Sequence, residues 1–333
     1  MTNQGENRKF ARAYEMMLLA RLLDDKFAAL YRAGKIHGGV FLGRGQEALS
    51  AALGVHLQKG DVFAPLIRDQ AGRLAFGESI LDPIRTYLGS PLGPMRARDG
   101  NVHRGRPREG IFPMISHLGA MISLVCGTLF ARKLRGQTGT VGATSIGDGG
   151  TSTGAWHEAM NMAAVEKLPL IMVVANNQFA YSTPTERQFA CKDLVDRAIG
   201  YGIRGYSIEG NDLATCMTTM EEAVSRARNG EGPQMVVASL LRLSGHGEHD
   251  DAYYIPDTLK ASSLGIDCMK IAEQQVIERG DFSEESIKEL KEKFQKQINE
   301  AVAQVQQEAP PDPFTEDWCA LSSRSLRDGF YNE

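Results

Sequence analysis

The sequence predicts an α/β fold, a mostly parallel sheet flanked by helices on both faces, with a helical C-terminal extension. Three observations predict it. Residues 140–146 and 168–175 are apolar runs of strand length, and Leu168-Pro169-Leu170-Ile171-Met172-Val173-Val174-Ala175 has the composition of a strand buried on both faces. Between them, residues 152–166 repeat Trp156, Ala159, Met160, Ala163 and Ala164 at helical spacing, with hydroxyls at Thr151, Ser152 and Thr153 for an N-cap. Two further strands, 206–208 and 234–241, enclose a helical pattern over 212–227. Alternation of this kind builds a parallel sheet with a helix layer on each side.

The other elements follow in order. Residues 10–35 read as a helix, with Ala13, Met16, Met17, Ala20, Leu23 and Phe27 on one face. Residues 46–58 read as a second helix, and Gly60-Asp61 as a turn before Val62-Phe63. Residues 88–110 are rich in Gly, Pro and Arg and read as a long loop, a length that is often functional. Residues 118–135 form an apolar helix ending in a basic turn, and Asn211 is the candidate cap of the helix over 212–227. After Pro256 the composition shifts, and residues 284–307 form a charged helix that Pro310-Pro311 ends. We therefore divide the chain into a ligand-binding α/β domain, 1–255, and a helical extension, 256–333.

Composition excludes several classes. At 333 residues the chain can bury a large core. A net charge of −4 argues against nucleic acid or an anionic membrane as partner. No apolar run is long enough to span a membrane, and residues 1–12 lack the apolar core of a signal peptide. Five cysteines, Cys126, Cys191, Cys216, Cys268 and Cys319, show no metal-site spacing, so a reducing cytoplasm is expected.

The chemistry concentrates in Ile146-Gly147-Asp148-Gly149-Gly150 and Asn176-Asn177. Each segment ends a strand, where open α/β sheets bind ligands. Asp148 and the asparagines are hard oxygen donors of the kind magnesium prefers, often alongside phosphate oxygens. Glycines allow sharp turning and close backbone approach, and a helix N-terminus directly after them suits an anion. The pair therefore points to a metal-anchored diphosphate.

In this context Gly147-Asp148-Gly149 with Asn176-Asn177 resembles the thiamine diphosphate signature. Gly45-Gln46-Glu47-Ala48, Gly100-Asn101-Val102-His103, Glu158-Ala159-Met160-Asn161-Met162-Ala163-Ala164 and Gly245-His246 stand in the order of one family. It is the alpha subunit of the decarboxylating component of 2-oxo acid dehydrogenase complexes, with pyruvate, branched-chain and acetoin members. The resemblance covers roughly residues 10–255. It implies thiamine diphosphate and Mg2+ as cofactors, with Asp148, Asn177 and the Phe179 carbonyl as metal ligands. It also implies backbone contacts from Gly149 and Gly150 to the diphosphate, and Arg68 on its terminal phosphate, a role suited to a guanidinium fork. Ser116 and Leu118 are expected at the aminopyrimidine ring, with Leu118 as a wedge. His246 is expected at the diphosphate and active centre as the catalytic histidine. Its surroundings, His246, His249, Asp250 and Asp251, read alternatively as a metal cluster or a solvated loop.

Departures from the family pattern are visible too. Phe41 stands where many pyruvate-type relatives carry His, Ile67 where Tyr precedes the arginine, and Gly247 where some relatives carry a modified serine. The carboxylate that must face the pyrimidine ring has no counterpart here, and residues beyond 255 are too few and too helical to supply it. The resemblance implies that a beta subunit provides it, in a heterotetramer of two alpha and two beta chains. The acyl product would pass to a lipoyl-bearing acyltransferase. Pyruvate is the first expectation for the 2-oxo acid, from Gly45-Gln46-Glu47. Branched-chain acids follow closely, from Ser182-Thr183-Pro184-Thr185, and acetoin is a further alternative. A non-catalytic paralogue within a complex is the alternative motivated by Phe41, Ile67 and Gln70.

Overall fold

The computed structural model describes residues 2–99 and 102–315. Gly100 and Asn101 of the Gly-Asn-Val-His motif, Cys319 and the end of the proposed extension lie outside the described residues. The strands are Val62–Ala64 (β1), Gly142–Gly147 (β2), Leu170–Asn176 (β3), Phe179–Ala180 (β4), Thr183–Pro184 (β5), Arg204–Glu209 (β6) and Gln234–Ser239 (β7). The α-helices are Thr2–Arg32 (α1), Glu47–His56 (α2), Gln70–Phe76 (α3), Leu81–Leu88 (α4), Ala120–Leu134 (α5) and Gly154–Val165 (α6). They continue with Arg197–Tyr201 (α7), Leu213–Arg228 (α8), Asp257–Lys260 (α9), Cys268–Glu278 (α10) and Glu284–Gln306 (α11).

Five strands form one sheet in the order β1-β2-β3-β7-β6, and every neighbouring pair is parallel. The period of two in a strand explains the two cores. Ile171, Val173 and Ala175 of β3 pack with Val236 and Ala238 of β7 against α1, α2 and α8. Leu170, Met172 and Val174 point the other way, with Met235 and Val237, against α5 and α6. Strand β6 lies at the edge, and its residues are only partly covered. The predicted α/β architecture is thus present, and among the described residues no helix is long and apolar enough to cross a membrane.

Three differences from the sequence reading have physical reasons. Helices α3 and α4 were not anticipated because they are short, and α3 carries Gly72, a poor helix former. Gly72 is needed because α2 crosses there: a Cβ on it would stand 2.6 Å from the Ser50 carbonyl oxygen. The cap of α8 is Asp212, which accepts from Thr215 N at 2.6 Å, and not Asn211, whose amide donates to the carbonyls of Ser263 and Ile266. The loop over 88–110 is held down by two ion pairs, a buried one from Arg104 to Glu78 at 3.0 Å and a half-buried one from Arg106 to Asp82 at 2.5 Å.

Helix α11 shows why the last part of the chain attaches where it does. Ser283 and Ser286 form a capping box at its start. Ile287, Phe294, Ile298, Val302 and Val305 then form one buried stripe. That stripe packs against α1 and α4 within the larger core, and Glu308 just beyond it pairs with Arg85 at 2.7 Å.

Candidate active site

Register brings the site together. Gly147 pairs with Ala175, and Asn176 with Ser239, so β2, β3 and β7 end at the same level. Asp148, Asn177 and the segment leading to Arg242 therefore emerge side by side, and the segment after β1 brings in Arg68. Between these ends lies a cavity of about 310 Å³. Arg68, Leu118, Asp148, Gly149, Gly150, Asn177, Phe179 and His246 all line it. Ser116 does not line it: it is exposed, with its Oγ 2.6 Å from His103 Nε2. Asn176 is also absent from the lining.

The glycines act differently from the sequence expectation. None of Gly147, Gly149 or Gly150 has a left-handed backbone. Gly149 and Gly150 are required by close packing, since a Cβ would stand 2.4 Å from Ala180 Cβ in the first case and 2.5 Å from Ile146 Cγ1 in the second. Gly147 lines the cavity, and a Cβ there would meet no protein atom within 4 Å. Room beside the backbone is left for an occupant. After this turn Thr153 caps α6, accepting from Trp156 N at 3.3 Å.

Oxygen atoms converge next to that space. Asn177 Nδ2 donates to Gln46 Oε1 at 2.7 Å, which turns the opposite end of the carboxamide inward. That end lies 3.0 Å from the Phe179 carbonyl oxygen and 3.2 Å from Asp148 Oδ1. With the amide oxygen inward, three oxygens face each other, and of these the Phe179 carbonyl also accepts from Arg242 Nη1 at 3.3 Å. Such an arrangement calls for a hard cation. Asp148 is buried, its Oδ2 accepts from Gln188 Nε2 at 2.7 Å, and burial pushes its carboxyl above the usual range.

Positive charge borders the cavity. Arg68 is buried and donates to the carbonyls of Leu42 and His246, at 2.7 and 2.6 Å. Arg242 is fully buried and donates to the carbonyls of Ser244, Phe179 and Tyr181 and to the Tyr254 hydroxyl. Neither is paired with a carboxylate among the described residues. Burial, and next Arg242, lower Arg68 to about 9. Burial, then Arg68 and Arg242, lower His246 to about 4. Two buried guanidiniums that repel each other beside a cavity favour an anionic occupant.

The departures lie at the site itself. The Phe41 ring stands edge-on to His246, with centroids 5.4 Å apart, and the Tyr181 ring lies 4.6 Å from the same imidazole. Ile67 lines the cavity, so a hydroxyl there is replaced by a hydrocarbon. Asp250 accepts from His246 N and Tyr254 Oη, both at 2.5 Å, and so braces the loop. Among the described residues no group of three His, Cys, Asp or Glu side chains is arranged to hold a metal, which removes the metal-cluster alternative for that loop.

Comparison with known proteins agrees with this geometry. The family profile of the dehydrogenase E1 component matches residues 14–314. The chain belongs to the dehydrogenase E1 component family. This family comprises the thiamine diphosphate-dependent decarboxylating components of 2-oxo acid dehydrogenase complexes. The chain is 31% identical over 305 residues to the alpha subunit of acetoin:2,6-dichlorophenolindophenol oxidoreductase of Cupriavidus necator, covering 91% of each. It is 30% identical over 303 residues to the pyruvate dehydrogenase E1 component subunit alpha of Rhizobium meliloti, covering 91% of this chain and 86% of that one. It is 34% identical over 240 residues to the 2-oxoisovalerate dehydrogenase subunit alpha of Bacillus subtilis, covering 72% of each.

The residues present fit the cofactor that this E1 family implies. The oxygen trio suits a divalent ion, the guanidiniums suit a diphosphate, and the open space at Gly147 suits close approach of a ligand. Sequence reasoning missed Gln188 and Arg242. A lone arginine three residues past a buried apolar strand was the available signal for Arg242, since buried charges need a reason.

Proposed function

We propose that this chain is the alpha subunit of a 2-oxo acid dehydrogenase that works with a separate beta subunit in a heterotetramer of two alpha and two beta chains. Asp148, Asn177 and the Phe179 carbonyl would hold Mg2+. Gly149 and Gly150 meet the diphosphate through their N–H groups, and Arg68 and His246 border it. The convergence of the Asn177 amide, the Phe179 carbonyl and the Asp148 carboxylate at the strand ends carries this reading. When bound, thiamine diphosphate supplies the carbanion that adds to a 2-oxo group and the electron sink for loss of carbon dioxide.

The chain's own residues perform the grip. Buried Asp148 and the amide of Asn177 present fixed oxygens that need little rearrangement when a cation arrives. Leu118 stands at the cavity, half exposed, where it can press on a ring. His246 lines the cavity with its imidazole kept neutral by burial and by Arg68 and Arg242. No glutamate lines the cavity among the described residues. We assign the activating carboxylate to the beta subunit. The acyl group then passes to a lipoyl-bearing acyltransferase. Pyruvate is the first substrate to test; the names of the relatives add acetoin and 2-oxoisovalerate. We assign the chain to the cytoplasm, a reading supported by four described cysteines that form no disulfide.

The test is titration of the alpha–beta complex with thiamine diphosphate, with and without Mg2+. Binding should require the ion and should be lost in Asp148→Ala. Absence of ion-dependent binding by the parent complex overturns the reading. Assays with pyruvate, 3-methyl-2-oxobutanoate and acetoin then name the substrate. A second reading, cofactor binding without turnover, is favoured by Phe41 against His246 and by Ile67 in the cavity wall. Tight binding with no decarboxylation or acetoin cleavage would establish it.

A further inference from the structure

We infer that His103 is a positioning residue that holds Leu118 over the cavity, acting through the hydroxyl of Ser116. The inference rests on the cofactor reading proposed above, in which Leu118 presses on a ring. A wedge works only if its backbone is fixed. Leu118 lies on the turn before α5, lines the cavity and is half exposed, so core packing supplies only part of its anchoring. The helix that follows adds little, because its N-cap is Gly119, which has no side chain to cap it.

Two contacts grip this turn, one on each side of Leu118. On the far side, Gly119 has φ +90° and lies flat on the start of α6. A Cβ on it would stand 2.9 Å from Ala155 Cβ and 2.9 Å from Thr153 Oγ1. On the near side, Ser116 Oγ meets His103 Nε2 at 2.6 Å, and His103 Nδ1 meets Asp99 Oδ2 at 2.7 Å. A carboxylate only accepts, so the proton beside Asp99 is on Nδ1, and Nε2 of the neutral ring accepts from the Ser116 hydroxyl. If the ring gains a second proton, Nε2 donates and the hydroxyl oxygen accepts, so the contact persists in both charge states. Between the two grips Leu118 stands over the glycine turn, its Cβ 3.7 Å from where a Cβ on Gly150 would lie.

His103 is itself a fixed post. Its neighbours in the chain, Val102 and Arg104, are both buried. Arg104 pairs with Glu78 at 3.0 Å and donates to Gln70 at 2.7 Å, which ties this part of the long loop to α3 and the residues just after it. Through Asp99, His103 and Ser116 that rigidity reaches the turn carrying Leu118. The long loop thereby shapes the ring end of the cavity without lining it.

The test is calorimetric titration of the full alpha–beta complex in the presence of Mg2+, with thiamine diphosphate and with inorganic diphosphate, which has no ring. His103→Phe keeps a planar ring but loses the bond to Ser116. It should weaken thiamine diphosphate about fivefold, the effect of one lost hydrogen bond, and leave inorganic diphosphate unchanged. Ser116→Ala should do the same, and the two changes together should cost no more than either alone. His103→Gln, whose amide reaches the place of Nε2, should restore most of the affinity. In a Leu118→Ala background His103→Phe should have no further effect. Equal weakening of both ligands by His103→Phe, an undiminished loss in the Leu118→Ala background, or no loss in the parent overturns the inference and leaves the cofactor reading standing. A parent complex that takes up neither ligand overturns both.

Discussion

Gly149 and Ala180 meet so closely that a Cβ on the glycine would lie 2.4 Å from the alanine Cβ. The contact joins the turn after β2 to the β4–β5 hairpin, whose strand β4 is flanked by Gln178 and Tyr181 at positive φ, 75° and 54°. Left-handed backbone at residues other than glycine is strained, so this hairpin is set by its surroundings. Gly149→Ala should destabilise the protein by about 1–3 kcal/mol through overpacking. It should also weaken cofactor binding, since Asp148 and Phe179 flank the contact. Ala180→Gly in the same chain should recover most of the melting temperature. A double variant no more stable than the single one rejects the contact as the cause.

Protonation of His246 should be linked to cofactor binding. In the folded chain its pKa is lowered from 6.5 to about 4 by burial and then by Arg68 and Arg242. The unfolded chain therefore binds more protons between these two values, and stability falls as pH drops through that window. Above it the imidazole is neutral in both states and contributes nothing. An anion beside the two guanidiniums offsets their repulsion and raises the histidine. Calorimetry near pH ~5.5, in two buffers of different ionisation enthalpy, should detect proton uptake on binding. Uptake should disappear in His246→Gln; its absence in the parent would falsify the link.

A second titration acts on stability from the opposite side. Asp24 is buried, accepts from Gly43 N at 2.6 Å, and is raised from 3.8 to about 7 by burial, with Glu47 adding to the rise. Here the folded chain binds more protons between those values, so stability falls as pH rises through them. Asp24→Asn removes the charge. The melting temperature of the variant relative to the parent should climb between about pH 4 and 8, by the equivalent of roughly 4 kcal/mol. A difference independent of pH would show that Asp24 is already charged throughout.

Glu78 anchors the long loop. It lies between Arg73 at 3.1 Å and Arg104 at 3.0 Å, and all three side chains are almost fully buried. Glu78→Gln leaves two buried guanidiniums without their counter-charge and should destabilise by roughly 3–5 kcal/mol in denaturant unfolding. Limited proteolysis should then cut first within residues 88–110. Unchanged stability would mean that Gln70, which also reaches Arg104 at 2.7 Å, suffices.

Local signals made much of this protein legible. Apolar runs and helical spacing located β2, α6 and β3 to within about two residues. Their order implied that Asp148 and Asn177 leave parallel neighbours at the same end. Where contacts join distant parts of the chain, local pattern carried no information. Gln188 on Asp148, Arg242 beneath Phe179 and Gln46 on Asn177 all belong to this group. Ser116 was expected at the ring from the resemblance alone, and the turn before α5 directs its hydroxyl to His103.

By itself, the sequence determined the sheet, its helix layers and the two strand ends that carry oxygen donors. These follow from periodicity and glycine placement, which act within one βαβ unit. Only the tertiary structure decided that the Asn177 amide, the Phe179 carbonyl and the Asp148 carboxylate converge, that Arg68 and Arg242 share a buried edge, and that Gly149 is needed for Ala180. The reason is physical: a donor's identity is local, whereas its direction and its charge environment are set by neighbours brought in from elsewhere in the chain.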